Sequence, residues 1–299
     1  MSLTLWVEPR ILGSKPILRT EASYCATDNE VYMFGGLLKS GELTNEFYQL
    51  VIGQGTFTWN KVKSSSTKVP APRSNASLAC TKRQLFLFGG NLENGDISDE
   101  FWIFDFQKLS WYQLESHGND SWPPPMALAR MFVVESRVFV LNDTNELYFM
   151  DIDTHIWVAL VTNIAASPGW APPVARSGRL ILAFTYDDMA QSHVHIFDVD
   201  DLQWKRSRCL RDLTFDFRDG CTAPVRHFAL HVSDNLQHIN IFDSEKMNWV
   251  KPKASGITPC FLRSTTMQTA CPKGLLVLGR RDGLGANDKT LEVAMLQVL

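Results

Sequence analysis

No stretch of this chain is long and apolar enough to cross a membrane as a helix. The longest apolar runs, such as Leu180–Phe184 and Leu275–Leu278, are strand-sized, whereas a spanning helix needs about 18–20 residues. The first nine residues, Met1 to Pro9, lack a basic region, a long apolar core and a small-residue cleavage site, so they do not read as a secretory signal. The six cysteines, at positions 25, 80, 209, 221, 260 and 271, form no CxxC pair and no Cys/His zinc spacing. Without an export signal they read as reduced and mostly core. Charge of one sign is missing too: 29 basic against 32 acidic residues leave a net −3. That balance argues against a general binder of nucleic acid or acidic membrane. The chain has no Gly-x-Ser-x-Gly, no His-Glu-x-x-His and no phosphate loop. Gly279–Thr290 contains glycines but not the order a phosphate loop requires. The expected location is the cytoplasm or the nucleus, not the exterior.

What the chain does have is a repeat. Six of its nine tryptophans, Trp6, Trp59, Trp111, Trp157, Trp204 and Trp249, are spaced by 53, 52, 46, 47 and 45 residues. Four of them close one local unit, an apolar residue, Asp, five residues, then Trp. The units read Phe104-Asp105 to Trp111, Met150-Asp151 to Trp157, Phe197-Asp198 to Trp204, and Phe242-Asp243 to Trp249. In the first repeat Phe47-Tyr48-Gln49-Leu50 leads to Trp59 through two extra residues. Upstream of each unit lies a short apolar run, such as Val31-Tyr32-Met33-Phe34 or Leu85-Phe86-Leu87-Phe88, which reads as a strand covered on both faces. In the first two repeats that run ends in Gly35-Gly36 and Gly89-Gly90, where positive φ permits a tight exit. One arginine, Arg19, Arg73, Arg130, Arg176, Arg218 or Arg263, follows each tryptophan at 13, 14, 19, 19, 14 and 14 residues. Four short strands per period of 45–53 residues predict an all-β propeller.

The pattern resembles kelch repeats along the whole chain, most specifically in the first two. The expectation is a single domain over 1–299, a six-bladed propeller with four antiparallel strands per blade. Blades are expected at about 13–60, 66–112, 126–158, 172–205, 214–250 and 259–299, the last completed by residues 1–8. The final repeat lacks its own tryptophan strand, and Leu3-Thr4-Leu5-Trp6-Val7 is the available substitute. Pairing it there removes two exposed edges together.

The resemblance implies that the six arginines form a basic pocket near the central channel, open to an acidic motif or a terminal carboxylate. Arginine suits that task, because its planar fork binds a carboxylate through two parallel hydrogen bonds. The alternative is that each arginine caps loop carbonyls of its own blade. Trp122 and Trp170, each beside prolines in a longer loop, are expected as partner anchors, the alternative being that they fold back over the blade edge. The resulting expectation is a non-enzymatic adaptor or scaffold module, a monomeric propeller within a larger complex with no cofactor and no metal, whose partner is a protein or peptide and neither membrane nor nucleic acid. The other class left open is a small-molecule-binding or metal-dependent propeller enzyme, mutarotase-like or oxidase-like, built on His193, His195, His227 and His231. Those histidines form two strand-spaced pairs.

Overall fold

The computed structural model describes residues 3–116, 121–142, 144, 146–160, 174–177, 180–186, 192–210, 220–225, 228–233, 236, 238–243, 246, 248–250, 253–255, 267–271, 274–279 and 291–298. Among them there is no helix, and accordingly none long and apolar enough to cross a membrane. The strands form six main sheets. Sheet I runs in spatial order Arg10–Gly13, Thr56–Lys61, Phe47–Ile52, Glu30–Phe34, Ser23–Ala26. Sheet II is Ser77–Cys80, Gln84–Phe88, Phe101–Asp105, Ser110–Leu114, and sheet III is Arg130–Val134, Arg137–Leu141, Leu147–Asp151, Trp157–Leu160. Sheet IV is Val174–Ser177, Leu180–Tyr186, Ser192–Asp198, Gln203–Leu210, and sheet V is Gly220–Val225, Phe228–Ser233, Ile239–Asp243, Asn248–Val250. Sheet VI takes strands from both ends of the chain, in the order Lys253–Ser255, Leu3–Val7, Glu292–Val298, Gly274–Gly279, Met267–Cys271.

Side chains alternate across a strand, so a strand buried on both faces serves two cores. In Gln84–Phe88, Leu85 and Leu87 pack with Phe34 and Phe47 of sheet I. Phe86 and Phe88 pack with Val138 and Val140 of sheet III. In Gly274–Gly279, Leu275 and Val277 meet Leu230 and Val232 of sheet V, while Leu276 and Leu278 meet Val31 and Met33 of sheet I. Sheets III and IV share a core through Phe139, Leu141, Ile181 and Phe197. Sheets IV and V touch where the Phe184 ring stands 5.4 Å edge-on to Phe242. This double use explains why the runs are apolar without alternation. Each fully buried Leu or Phe contributes about 1.5–3 kcal/mol.

The apolar-Asp-x5-Trp unit is a hairpin. Its apolar residue and its tryptophan stand directly opposite one another, as Phe104↔Trp111, Met150↔Trp157, Phe197↔Trp204 and Phe242↔Trp249. Leu50↔Trp59 is the equivalent pair in the first repeat, and Trp6 faces Leu296 in the same way. The aspartate caps the turn: Asp105 Oδ1 accepts from the backbone N–H groups of Gln107 and Lys108, both at 2.9 Å. Asp151 does the same for Asp153 and Thr154 at 3.1 and 2.9 Å. The fourth residue after Asp105, Asp151 and Asp198 is left-handed: Leu109 (φ 52°), His155 (φ 58°) and Leu202 (φ 53°). A leucine there carries backbone strain and, at 48% exposed, Leu109 recovers little by burial. Leu109→Gly should therefore stabilise the protein by about 1 kcal/mol, net of the added freedom of the unfolded chain. Scanning calorimetry should show a melting temperature higher by about 1–2 °C at this chain length, and a fall would show that the turn is unstrained.

Candidate functional site

The first two repeats build the same buried ion pair from the same parts. In repeat one, the Arg19 side chain is 0% exposed and its Nη2 lies 2.6 Å from Glu46 Oε2. Its Nε donates to the Ile17 carbonyl at 3.0 Å and its Nη1 to the Gly35 carbonyl at 3.3 Å. In repeat two, Arg73 is likewise 0% exposed and pairs with Glu100. Its Nε donates to Ala71 and its Nη1 to Gly89, each at 3.0 Å. Desolvation works to raise both glutamates. Hydrogen bonds from Lys61 and Arg19 to Glu46, and from Arg73 and Trp102 to Glu100, outweigh it and hold both carboxyls below the usual range.

The glycine pairs exist because backbones meet there. A Cβ on Gly35 would lie 2.4 Å from the Arg73 carbonyl oxygen, and one on Gly89 would lie 2.1 Å from that of Met126. All four glycines, 35, 36, 89 and 90, have φ between 68° and 103°. Beyond each pair a hairpin rises, and its first arm pairs with the arginine segment, as Arg19↔Leu38 and Arg73↔Leu92. The Gly36 N–H donates to the Arg73 carbonyl at 2.9 Å, and the Gly90 N–H to the Met126 carbonyl at 2.8 Å.

Those last two bonds overturn the expected arginine register. Met126, not Arg130, occupies in the third repeat the place of Arg19 and Arg73. Arg130 instead follows Ala129 as Ser77 follows Ala76. Ser23 Oγ donates to the Ala76 carbonyl and Ser77 Oγ to that of Ala129, so Arg130 opens the innermost strand where the earlier repeats have these serines. Glu146 remains as the counterpart of Glu46 and Glu100, but Asn142 replaces the glycine and donates from Nδ2 to Glu146 Oε2 at 2.7 Å. The arginine and the glycine are thus exchanged together for methionine and asparagine.

Arg19 and Arg73 therefore spend their donors inside their own repeats, the capping arrangement, and present no guanidinium to an open pocket. Arg130 is exposed. Arg176 lies in Val174–Ser177 opposite Ile181, and its side chain is outside the described residues, as are Arg218, Arg263, Trp170 and His227. Trp122 is half-buried: its Nε1 donates to the Asp99 carbonyl at 3.1 Å and its ring stands edge-on to Trp157 at 5.8 Å. It folds back against sheets II and III.

The histidines fall into separate sheets. His193 and His195 stack in sheet IV at 6.3 Å, and His195 meets Trp204 edge-on. Burial, with a smaller contribution from His193, pushes the His195 pKa down to about 4. His231 is buried against Trp249 in sheet V. Among the described residues no three His, Cys, Asp or Glu stand together as a metal site.

Two features at the hairpin end escaped sequence reasoning. Glu21, Asn75 and Leu128 are left-handed at matching places in three successive repeats (φ 57°, 55° and 61°). Asn75 N–H donates to the Glu21 carbonyl and Leu128 N–H to the Asn75 carbonyl, both at 2.9 Å. Apolar side chains are also exposed in the segments that flank the arginine positions and hairpins of these repeats: Ile17 (51%), Val69 (38%), Ile97 (47%) and Leu128 (57%). The glutamates 11 residues after Gly35 and Gly89 were the available sequence signal for the buried pairs.

Architecture and site define a repeat protein of the β-propeller class. Residues 2–142 match the model of the KLHDC2/KLHL20/DRC7 Kelch-repeats domain. Human Host cell factor 2 is 24% identical over 207 residues, 57% of this chain and 26% of that protein. Mouse Kelch domain-containing protein 1 is 24% identical over 241 residues, 69% of this chain and 59% of that protein. The chain thus spans less than two thirds of either relative. The solved structure of YjhT superposes with a TM-score of 0.63 at 15% identity, covering 95% of this chain and 98% of that one, a likeness of fold. The family-model match, over just under half of the chain, and the kelch-domain relatives support a kelch-repeat family.

Proposed function

We propose that the six sheets are blades of one ring closed by Leu3–Val7, and that the ring is a non-enzymatic protein-interaction module, an adaptor or scaffold subunit. Its binding face is the end that carries the two hairpins. The observation that carries this reading is that apolar side chains are left open in the arginine and hairpin segments of the first repeats, Ile17, Val69, Ile97 and Leu128, with the exposed Arg130 two residues after the last of them. Large apolar groups left open around one site mark contact surfaces more often than isolated ones do. The ligand is a short peptide with an apolar residue next to an acidic side chain or a free C-terminal carboxylate. Leu128 and Ile97 receive the apolar residue, and Arg130 receives the carboxylate through its planar fork. Arg19 and Arg73 are engaged by Glu46 and Glu100. The acid reader is the exposed Arg130, joined by Arg218 and Arg263 from later repeats. Arg176, opposite Ile181 and one residue from the Ser177↔Leu180 pair, belongs instead to the other end of its strand. The kelch-repeat relatives support the interaction class.

The test is selection from a library of peptides that vary in acidic residues and in a free or amidated C-terminus. Selected peptides should bind Arg130→Glu at least tenfold more weakly than wild type, as expected for a lost charge-assisted bond of about 1.5–3 kcal/mol. Their affinity should also fall as salt rises. Peptides that bind Arg130→Glu and Leu128→Ala as well as wild type would place the contact surface elsewhere.

A further inference from the structure

Cys25 and Cys80 lie on the innermost strands of the first two sheets, Ser23–Ala26 and Ser77–Cys80. Alternation sets where each thiol points. Ser23 reaches across to Ala76 of sheet II, so Cys25, two residues on, points the same way. Ser77 reaches toward sheet III, to Ala129. Cys80 lies an odd number of residues further along that strand and so points back toward sheet I. Both belong to the core shared by sheets I and II, Cys25 inside it and Cys80 packed against it. The two strands lie side by side, so the two thiols face one another across that shared core. Cys25 is 9% exposed, whereas Cys80 is half-buried and reachable from solvent.

We propose that Cys25 and Cys80 are a covalent modification site: hydrogen peroxide joins them in a disulfide that staples the innermost strands of the first two sheets. The less buried partner, Cys80, reacts first. The Cys80 thiolate attacks one peroxide oxygen, the O–O bond breaks, and the products are a sulfenic acid and, after proton uptake, water. Cys25 then loses its proton and its sulfur attacks the Cys80 sulfur, expelling the hydroxyl as a second water. Two thiols are oxidised by two electrons, and one peroxide is reduced to two waters. Burial, reinforced by the neighbouring Cys80 thiol, holds the Cys25 thiol well above its ordinary range. That fits the role of second, slower partner, since the thiolate is the attacking form. The bond itself requires the two sulfurs to meet at about 2.05 Å.

The experiment treats the whole chain with hydrogen peroxide, quenches it with catalase, alkylates it under denaturing conditions and maps non-reduced peptides by mass spectrometry. The expected result is one cross-linked peptide pair joining Cys25 to Cys80 and a loss of about 2 Da. The melting temperature should rise and return to its starting value with dithiothreitol. Cys25→Ser should leave Cys80 as a sulfenic acid trapped by dimedone. Cys80→Ser should leave Cys25 fully alkylatable after the same exposure. If either variant fails to fold, the wild-type peptide map decides alone. Cys80 oxidised to sulfinic acid while Cys25 stays alkylatable would overturn the proposal, as would a disulfide between any other pair.

Discussion

Arg73→Met should lower stability by about 3 kcal/mol, near the lower end of what breaking a buried ion pair costs. The lower end applies because Glu100 keeps 34% of its side chain exposed, so water takes up part of the orphaned charge. The substitution also strips a donor from the Ala71 and Gly89 carbonyls. Its pH dependence identifies the cause. In wild type, Glu100 is held below its unfolded value, so its stabilising contribution is complete above that value. It disappears as pH falls through the folded one. Without Arg73 the carboxyl loses its largest lowering influence and keeps only that of Trp102 and Lys68 against burial, so the variant should lose less stability than wild type on acidification. Adding Glu100→Gln to Arg73→Met should recover part of the loss. Urea melts at pH 7 and pH 4 read all three results. An Arg73→Met protein as stable as wild type at both would show the pair to be incidental. The substitution is the one the third repeat already carries, with the difference that Asn142 there provides a donor for Glu146.

Removing residues 1–7 should do more damage than any single substitution. Leu3–Val7 lies between two strands, antiparallel to Glu292–Val298 and parallel to Lys253–Ser255. Its loss opens two ladders at once and bares two edges to association with other chains. Trp6, 7% exposed, also leaves the core formed with Leu230, Val232, Leu275 and Leu296. Trp6→Ala alone should cost about 3–5 kcal/mol. The truncated protein should be recovered largely as aggregate, and a synthetic peptide of residues 1–9 added during refolding should raise the soluble yield. A truncated chain that stays soluble and melts with the full-length protein would falsify this account of the seam.

The repeat was legible because its marks are large and local. A tryptophan opposite an apolar partner and an aspartate capping its own turn leave a spacing in the sequence that survives the loss of glycine pairs in later repeats. The arginine position was not legible in the same way. Arg130 matches Arg19 and Arg73 in residue type and nearly in spacing, yet what defines the position is a backbone carbonyl that accepts from a glycine of the preceding repeat, and Met126 supplies it. Side-chain identity carries no record of that bond. Trp122 was ambiguous for a related reason: one indole anchors a partner or covers Trp157 according to the path of three prolines. The fifth strands of sheets I and VI were missed because Arg10–Gly13, mostly exposed, has no buried face to leave an apolar pattern.

The division of each strand between two cores has a consequence for how substitutions combine. Leu87 and Phe88 are neighbours in the chain, but one packs with sheet I and the other with sheet III. Their effects should come close to adding, since they share no packing partners. Leu87 and Phe34, far apart in sequence, fill the same cleft and should couple. Covariation and compensation in this chain therefore run between repeats, from a residue of one period to its counterpart about fifty positions away. A volume change in one strand is best offset in the next blade, and adjacent residues of a single strand are free to drift independently.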